Sequence, residues 1–104
     1  MYKSSCAIAF CLAAIVPEPG FSADKEIGET LYKRNCIACH GKAGKGASSY
    51  PKISGNTVEY TIEKLNLYRD GIKQGPNSAL MIMKAKPLTD EEIENVAAYL
   101  EDAE

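Results

Sequence analysis

The 104-residue chain has no tryptophan, a single histidine, four cysteines and no excess of basic residues. Twelve basic against 14 acidic side chains give a formal net charge of -2. This balance argues against a nucleic-acid-binding protein, because such proteins neutralise phosphates with an excess of lysine and arginine. The single histidine excludes any site that needs two imidazoles from one chain, and four cysteines are too few for a disulfide-dense secreted scaffold. The length predicts one domain.

The chain also lacks a hydrophobic run long enough to cross a membrane. Residues 6–16 are uncharged and mostly apolar, whereas a membrane-spanning helix needs about 20 such residues. A short basic lead, this apolar run and the small residues after it predict a secretory signal peptide over residues 1–23. We expect cleavage after Ala23, with cleavage after Ser22 as the alternative. The mature protein is then periplasmic, without stable membrane insertion, and consists of one domain over residues 24–104.

Such a small domain buries a modest fraction of its surface and often depends on a disulfide, a metal or another staple. Its hydrophobic periodicity predicts an all-α fold with three main helices, at about residues 24–36, at about residues 57–69, and after Thr89. Thr89 and Glu92 form a capping-box sequence at the start of the third helix. The connection over residues 72–87 is predicted to lack regular structure, and a connection of this length usually has a function.

The two cysteines of the predicted mature domain belong to the segment Cys-Ile-Ala-Cys-His at residues 36–40, which is the pattern of c-type haem attachment. Cysteines three residues apart project from the same side of a helical turn, so Cys36 and Cys39 can add to the two vinyl groups of one porphyrin. His40 is then the proximal ligand of the iron. One covalently attached haem c would supply the core that the short chain lacks.

Three other interpretations of the motif are weaker. A thioredoxin-like redox pair needs a strand–helix setting, which the pattern does not predict. A structural zinc site usually takes four cysteine or histidine ligands, and the mature domain has only three. A plain disulfide explains neither His40 nor the export signal.

The sixth coordination position of the iron cannot go to a second histidine. A methionine thioether is the obvious alternative, and His/Met ligation raises the reduction potential. Met81 and Met83 are the candidates, both within the connection over residues 72–87. Residues two apart in an extended segment share a face, so local geometry does not choose between them.

Over residues 24–104 the sequence resembles the class I c-type cytochromes, specifically the small bacterial cytochrome c553 and cytochrome c4-like group. Gly28 and Tyr32 match the glycine and the aromatic that precede the haem motif in this group, and residues 50–56 and 68–71 match two further segments. The resemblance implies the class I cytochrome c fold, with its helices around one haem. It also implies that Gly28 packs against Tyr99 of the last helix.

The resemblance implies roles for individual residues as well. The carbonyl of Pro51 accepts a hydrogen bond from His40 and orients its ring, a contact that ligating imidazoles usually require. Met81 stands seven residues before Leu88, the position of the axial methionine in this group, so His40 and Met81 are the expected iron ligands. Arg69 is a candidate for contact with a haem propionate, with solvent exposure as an equal alternative.

The function expected from these residues is one-electron transfer, not catalysis, because protein side chains fill both axial positions of the iron. The alternative is a haem c subunit of an oxidoreductase complex, such as a flavocytochrome sulfide dehydrogenase. Partners are donor and acceptor proteins, with a flavoprotein and a terminal oxidase as candidates. Six lysines lie in loops that flank the haem motif and the methionines: Lys42, Lys45, Lys52, Lys73, Lys84 and Lys86. They indicate either an ordinary solvated surface or a basic rim around the haem edge that steers acidic partners.

Overall fold

The computed structural model describes residues 22–103 and consists of helices joined by loops. In chain order these are α1 (Lys25–Asn35), α2 (Ile37–His40), a 3₁₀ turn (Lys42–Gly44), α3 (Val58–Arg69), α4 (Ser78–Ala85) and α5 (Asp90–Glu101). Outside these helices, residues 22–103 contain a single isolated β-bridge and no strand, so the all-α prediction is confirmed. None of the helices in this range is long and apolar enough to cross a membrane. The predicted signal peptide lies outside the described residues, apart from Ser22 and Ala23.

The three predicted helices are present, and their N-termini are capped by side chains. The carboxylate of Asp24 accepts hydrogen bonds from two backbone N–H groups at the start of α1, and the hydroxyl of Thr57 does the same for Tyr60 in α3. At α5 the predicted capping box is complete, since Thr89 and Glu92 each accept a hydrogen bond from the backbone N–H of the other. These caps fix where each helix begins.

The core lies between α1 and α5, which cross at Gly28. A Cβ atom at this position would lie 2.0 Å from the backbone oxygen of Asn95, so only glycine allows this approach. The buried cluster of Leu31, Tyr32, Val96 and Leu100 packs below the crossing. Gly28 therefore contacts the α5 backbone.

Tyr99, the aromatic that the resemblance pairs with Gly28, lies on α5 one turn after the helix crossing. The Tyr99 ring packs on Tyr32, with the ring centroids 5.5 Å apart and the planes tilted by 44°. Along α5, Tyr99 follows Asn95 by one turn, so the ring lies beyond the point where the two helix backbones meet. The resemblance thus implied the right pair of helices, while the closest contact of Gly28 is with the backbone of Asn95.

The connection between α3 and α5 is not structureless, which corrects the expectation for residues 72–87. It contains α4, a two-turn helix that ends just before Pro87. Its sequence, Ser-Ala-Leu-Met-Ile-Met-Lys-Ala, is rich in good helix formers, and Lys84 lies in the last turn, where the helix dipole favours a positive charge. The helix was not predicted because it follows the Gly75-Pro76-Asn77 turn directly and is too short to show a clear hydrophobic periodicity.

The loop after the haem motif folds back across it. The backbone N–H groups of Ile53 and Ser54 both donate to the oxygen of Gly44, at 2.8 and 3.1 Å, and Gly55 donates to Leu100 of α5. Gly46 has φ +92° and a Cβ there would lie 2.9 Å from the nitrogen of Lys52, so the fold-back requires glycine at this position. This path brings residues 50–51 over α2.

Candidate functional site

Cys36 and Cys39 lie on one helical turn. Cys36 ends α1 and begins α2, and its backbone oxygen accepts hydrogen bonds from the N–H groups of Cys39 (3.2 Å) and His40 (3.0 Å). Both thiols are free and partly buried. The motif therefore presents two thiols and an imidazole from a single turn, as its spacing predicts.

The Cys36 thiol packs against the core, and this burial changes its pKa. Burial raises its pKa to about 11, with a smaller raising effect from Cys39, whereas the ammonium group of Lys84 lowers it. The thiol is therefore neutral at physiological pH, and it packs against the buried cluster between α1 and α5.

His40 is held in one orientation. Its side chain is 8% exposed, and Nδ1 lies 2.9 Å from the backbone oxygen of Pro51, the hydrogen bond that the resemblance implies. Because a carbonyl oxygen can only accept, Nδ1 carries the proton and Nε2 keeps the lone pair. The Tyr50 ring stands edge-on to the imidazole, with the ring centroids 6.3 Å apart. Residues 50–51 thus fix both the tautomer and the plane of the ring.

The helical conformation of α4 separates the two candidate methionines. Residues two apart on an α-helix point about 200° apart, so Met81 and Met83 lie on opposite faces. The inner face carries the buried residues Ser78 and Ala85 together with Met81, which is partly buried. Met83 is 61% exposed on the outer face. The extended segment assumed from the sequence would have left the two equivalent.

Arg69 lies at the end of α3 and bonds protein groups. Its guanidinium donates to the backbone oxygen of Leu88 at 3.0 Å, to Asn66 at 3.0 Å and to the carboxylate of Asp90 at 2.6 Å. The side chain is 26% exposed, so part of the guanidinium remains in contact with solvent. Arg69 links α3 to the residues around the start of α5.

The six lysines of the predicted basic rim are all exposed. Lys84 is the member that lies in the last turn of α4, the helix that carries Met81 and Met83. The acidic residues are concentrated in α5 and just after it, where Asp90, Glu91 and Glu92 occupy the first turn. Charge is therefore distributed unevenly over the surface.

Sequence reasoning missed two polar residues beside α4. Gln74 and Ser78 are joined to each other and to α3 by hydrogen bonds. The sequence carried one signal for them, since a serine just after a Gly-Pro-Asn turn is typical of a helix start. The serine could be interpreted in this way only if residues 78–85 were helical, and the sequence analysis predicted no regular structure there.

The residues of this site fit a c-type haem. The two thiols on one turn suit covalent attachment to the vinyl groups of one haem, and the His40 imidazole, with its lone pair on Nε2, and the Met81 thioether on the inner face of α4 would suit its two axial positions. Among residues 22–103 no three histidine, cysteine, aspartate or glutamate side chains converge to hold a metal ion, so the motif is not arranged as a zinc site.

Comparisons with known proteins point the same way. The family model named Cytochrome c matches residues 26–104. Cytochrome c-554(548) of Halomonas halodenitrificans is 43% identical over 70 residues, which cover 66% of this chain and 84% of that protein. The thiosulfate dehydrogenase electron acceptor of Stutzerimonas stutzeri is 33% identical over 108 residues, covering 89% of this chain and 50% of that protein.

Among solved structures, reduced recombinant cytochrome c4 from Pseudomonas stutzeri superimposes with a TM-score of 0.67 at 26% identity, covering 74% of this chain and 46% of that one. The chain spans about half the length of this cytochrome c4 and of the Stutzerimonas acceptor.

Proposed function

Because the chain belongs to the cytochrome c family, as a small class I c-type cytochrome, we propose that it is an exported one-electron carrier whose haem iron is ligated by His40 and Met81. Membership confirms the predicted cofactor, one haem c bound covalently through Cys36 and Cys39. When bound, that haem supplies an iron that takes up and releases one electron. Cytochromes c of this family carry electrons and are not enzymes.

The observation that carries the proposal is the preoriented imidazole of His40, and the partly buried thioether of Met81 on the inner face of α4 supports it. Pro51 holds the proton of His40 on Nδ1, which leaves the lone pair of Nε2 available to ligate the iron. Met81 supplies a soft, neutral sulfur from a partly buried position. If His40 and Met81 hold both axial positions, no position would be left for a substrate, which favours a carrier over a catalyst.

The spectrum and potential of the haem test this assignment. We expect Met81→Ala to lose the low-spin His/Met spectrum and the far-red band of a thioether-ligated ferric haem, and to lower the reduction potential, because the thioether stabilises the reduced iron. Met83→Ala is the matched control, since it removes the same side chain from the outer face of α4. Loss of the His/Met spectrum in Met83→Ala alone would contradict the assignment.

We also propose that the basic rim docks acidic electron-transfer partners. Support comes from the exposure of all six lysines and from the position of Lys84 on α4, the helix that carries Met81. Opposite charges steer association, so we expect the rate of electron transfer with an acidic partner to fall as ionic strength rises. Lys45→Glu and Lys84→Glu should each slow it at a given ionic strength, while Lys64→Glu in α3 makes the same charge change outside the six lysines and is the control. A rate that does not respond to salt, to Lys45→Glu or to Lys84→Glu would refute the rim.

The alternative proposal is a haem c subunit of an oxidoreductase complex, such as a flavocytochrome sulfide dehydrogenase. Two relatives are named as electron acceptors of thiosulfate dehydrogenase, and the chain corresponds to half the length of one of them. A free carrier should elute from native gel filtration at the mass of one chain. Co-purification with a flavoprotein at fixed stoichiometry would favour the subunit.

Export and the role of Arg69 stay predictions. Residues 1–21 lie outside the described part of the chain, and the mass of the mature haem protein tests whether residues 1–23 are removed. Recovery of a haem-loaded protein that retains them would contradict the proposed cleavage. For Arg69, a propionate contact would have to share a guanidinium already bonded to Leu88 and Asp90. A shifted reduction potential in Arg69→Leu would support that contact, and an unchanged one would exclude it.

A further inference from the structure

The start of α4 is fixed by an unusual arrangement around Ser78. This side chain is 3% exposed, and its hydroxyl oxygen accepts hydrogen bonds from the backbone N–H groups of Gln74 (2.7 Å) and Gly75 (2.8 Å). The donors precede the helix, so the hydroxyl ties the incoming loop to α4. The N-cap residue, Asn77, makes no side-chain cap hydrogen bond. Ser78 therefore does the anchoring that a cap usually does.

The side chain of Gln74 extends this anchor to α3. Its Nε2 donates to the backbone oxygen of Lys64 at 3.1 Å. A carbonyl can only accept, so this contact fixes which end of the amide is the nitrogen. The other end, Oε1, is buried and has no hydrogen-bond partner among residues 22–103. Gln74 thus bridges α3 and the loop before α4 while leaving one acceptor unsatisfied, which is a poor arrangement if its role is stability alone.

The bridge is one helical turn from the proposed ligand. Ser78 and Met81 are three residues apart and lie on the same inner face of α4. Any movement of the first turn of this two-turn helix is passed directly to the thioether. The distance between the iron and the sulfur must be kept within a narrow range for a bond, so the anchoring of α4 controls how firmly the ligand is held.

We propose that Gln74 and Ser78 form a clasp, the Gln74–Ser78 clasp, that positions Met81 against the haem iron and keeps competing ligands from replacing it. The inference rests on the proposed function, in which Met81 is the axial ligand. Both residues act through Met81 and need no contact with the haem.

Displacement of the thioether by added imidazole, followed in the absorption spectrum of the ferric holoprotein, measures how firmly Met81 is held. Ser78→Ala leaves two N–H groups without their acceptor, and we expect imidazole to bind about tenfold more tightly. Ser78→Thr keeps the hydroxyl and should restore wild-type affinity. Gln74→Met removes the bond to Lys64 together with the unsatisfied oxygen, so it should weaken the hold on Met81 with little effect on folding.

Thr89→Ala is the matched control, because it also removes a hydroxyl that accepts a backbone N–H at a helix start, but in α5. It should destabilise the protein and leave imidazole affinity unchanged. Equal increases in Ser78→Ala and Thr89→Ala would overturn the clasp, as would wild-type affinity in both Ser78→Ala and Gln74→Met. Met81→Ala distinguishes failure of the axial assignment from failure of the clasp. If Met81→Ala binds imidazole no better than wild type, Met81 is not the axial ligand. If it binds imidazole far better while Ser78→Ala and Gln74→Met bind it as wild type does, Met81 is the ligand and only the clasp is refuted.

Discussion

Replacing Gly28 by alanine tests the helix crossing that organises the fold. Its Cβ would lie 2.0 Å from the backbone oxygen of Asn95 and 2.5 Å from the adjoining carbon, and neither atom can rotate away as a side chain does. α1 and α5 must separate by about 1 Å or more, which opens the cluster of Leu31 and Val96. Overpacking in cores costs typically 1–3 kcal/mol, and a backbone clash belongs at the upper end. Alanine regains about 1 kcal/mol of helix propensity, so we expect a net loss of about 2 kcal/mol.

Thermal and denaturant unfolding of the holoprotein measure this loss. For a domain of this size, a loss of about 2 kcal/mol corresponds to a fall in Tm of roughly 8–16 °C. Gly75→Ala is the control, since a Cβ there meets no atom within 4 Å and the N–H that bonds Ser78 is kept. It should be neutral or slightly stabilising. A higher Tm in Gly28→Ala would contradict the close helix crossing, because the gain in helix propensity would then outweigh any backbone clash.

Three further changes have defined outcomes. Thr89→Ala should lower the free energy of unfolding by about 1 kcal/mol in urea, and Thr89→Ser should restore most of it, because the cap needs only the hydroxyl oxygen. Burial raises the pKa of Tyr32 from 10.0 to about 12. The folded state therefore keeps this proton to higher pH than the unfolded state, so the free energy of unfolding should fall as pH rises from 10 towards 12. In Tyr32→Phe, a spectrophotometric titration of the tyrosines should lack the one phenol that ionises near pH 12. Arg69→Leu should cost about 2 kcal/mol in the same urea assay, since it removes bonds to Leu88 and Asp90; a loss below 0.5 kcal/mol, within the ordinary range of surface substitutions, would contradict that.

The parts of the fold that local sequence determines were predictable. The capping box at Thr89 and the spacing of residues 36–40 are encoded within four or five consecutive residues, and the structure contains both. The helix at residues 78–85 was missed for the opposite reason. Two turns are too short for a period to be visible, and packing of its inner face against other elements decides that it is helical.

Some features of the site were likewise predictable from local sequence, and others depend on tertiary packing. The thiols, His40 and its bond to Pro51 follow from a short motif and a family resemblance. The partners of Arg69 could not be foreseen, because Leu88 and Asp90 are about 20 residues away in the chain and meet it only after α3 and α5 have packed. The family resemblance already favoured Met81 over Met83, but their separation onto opposite faces depends on the helical conformation of α4, which the sequence analysis did not predict.

The central claim is that the Met81 sulfur is bonded to the iron. Nuclear magnetic resonance of the reduced holoprotein, labelled with ¹³C at the methionine methyl groups, tests it in the intact chain. A methyl group held directly over the haem plane is shifted far upfield by the ring current. We predict one such resonance, absent in Met81→Leu and retained in Met83→Leu. A shifted resonance that survives in Met81→Leu, or disappears in Met83→Leu, would contradict the account.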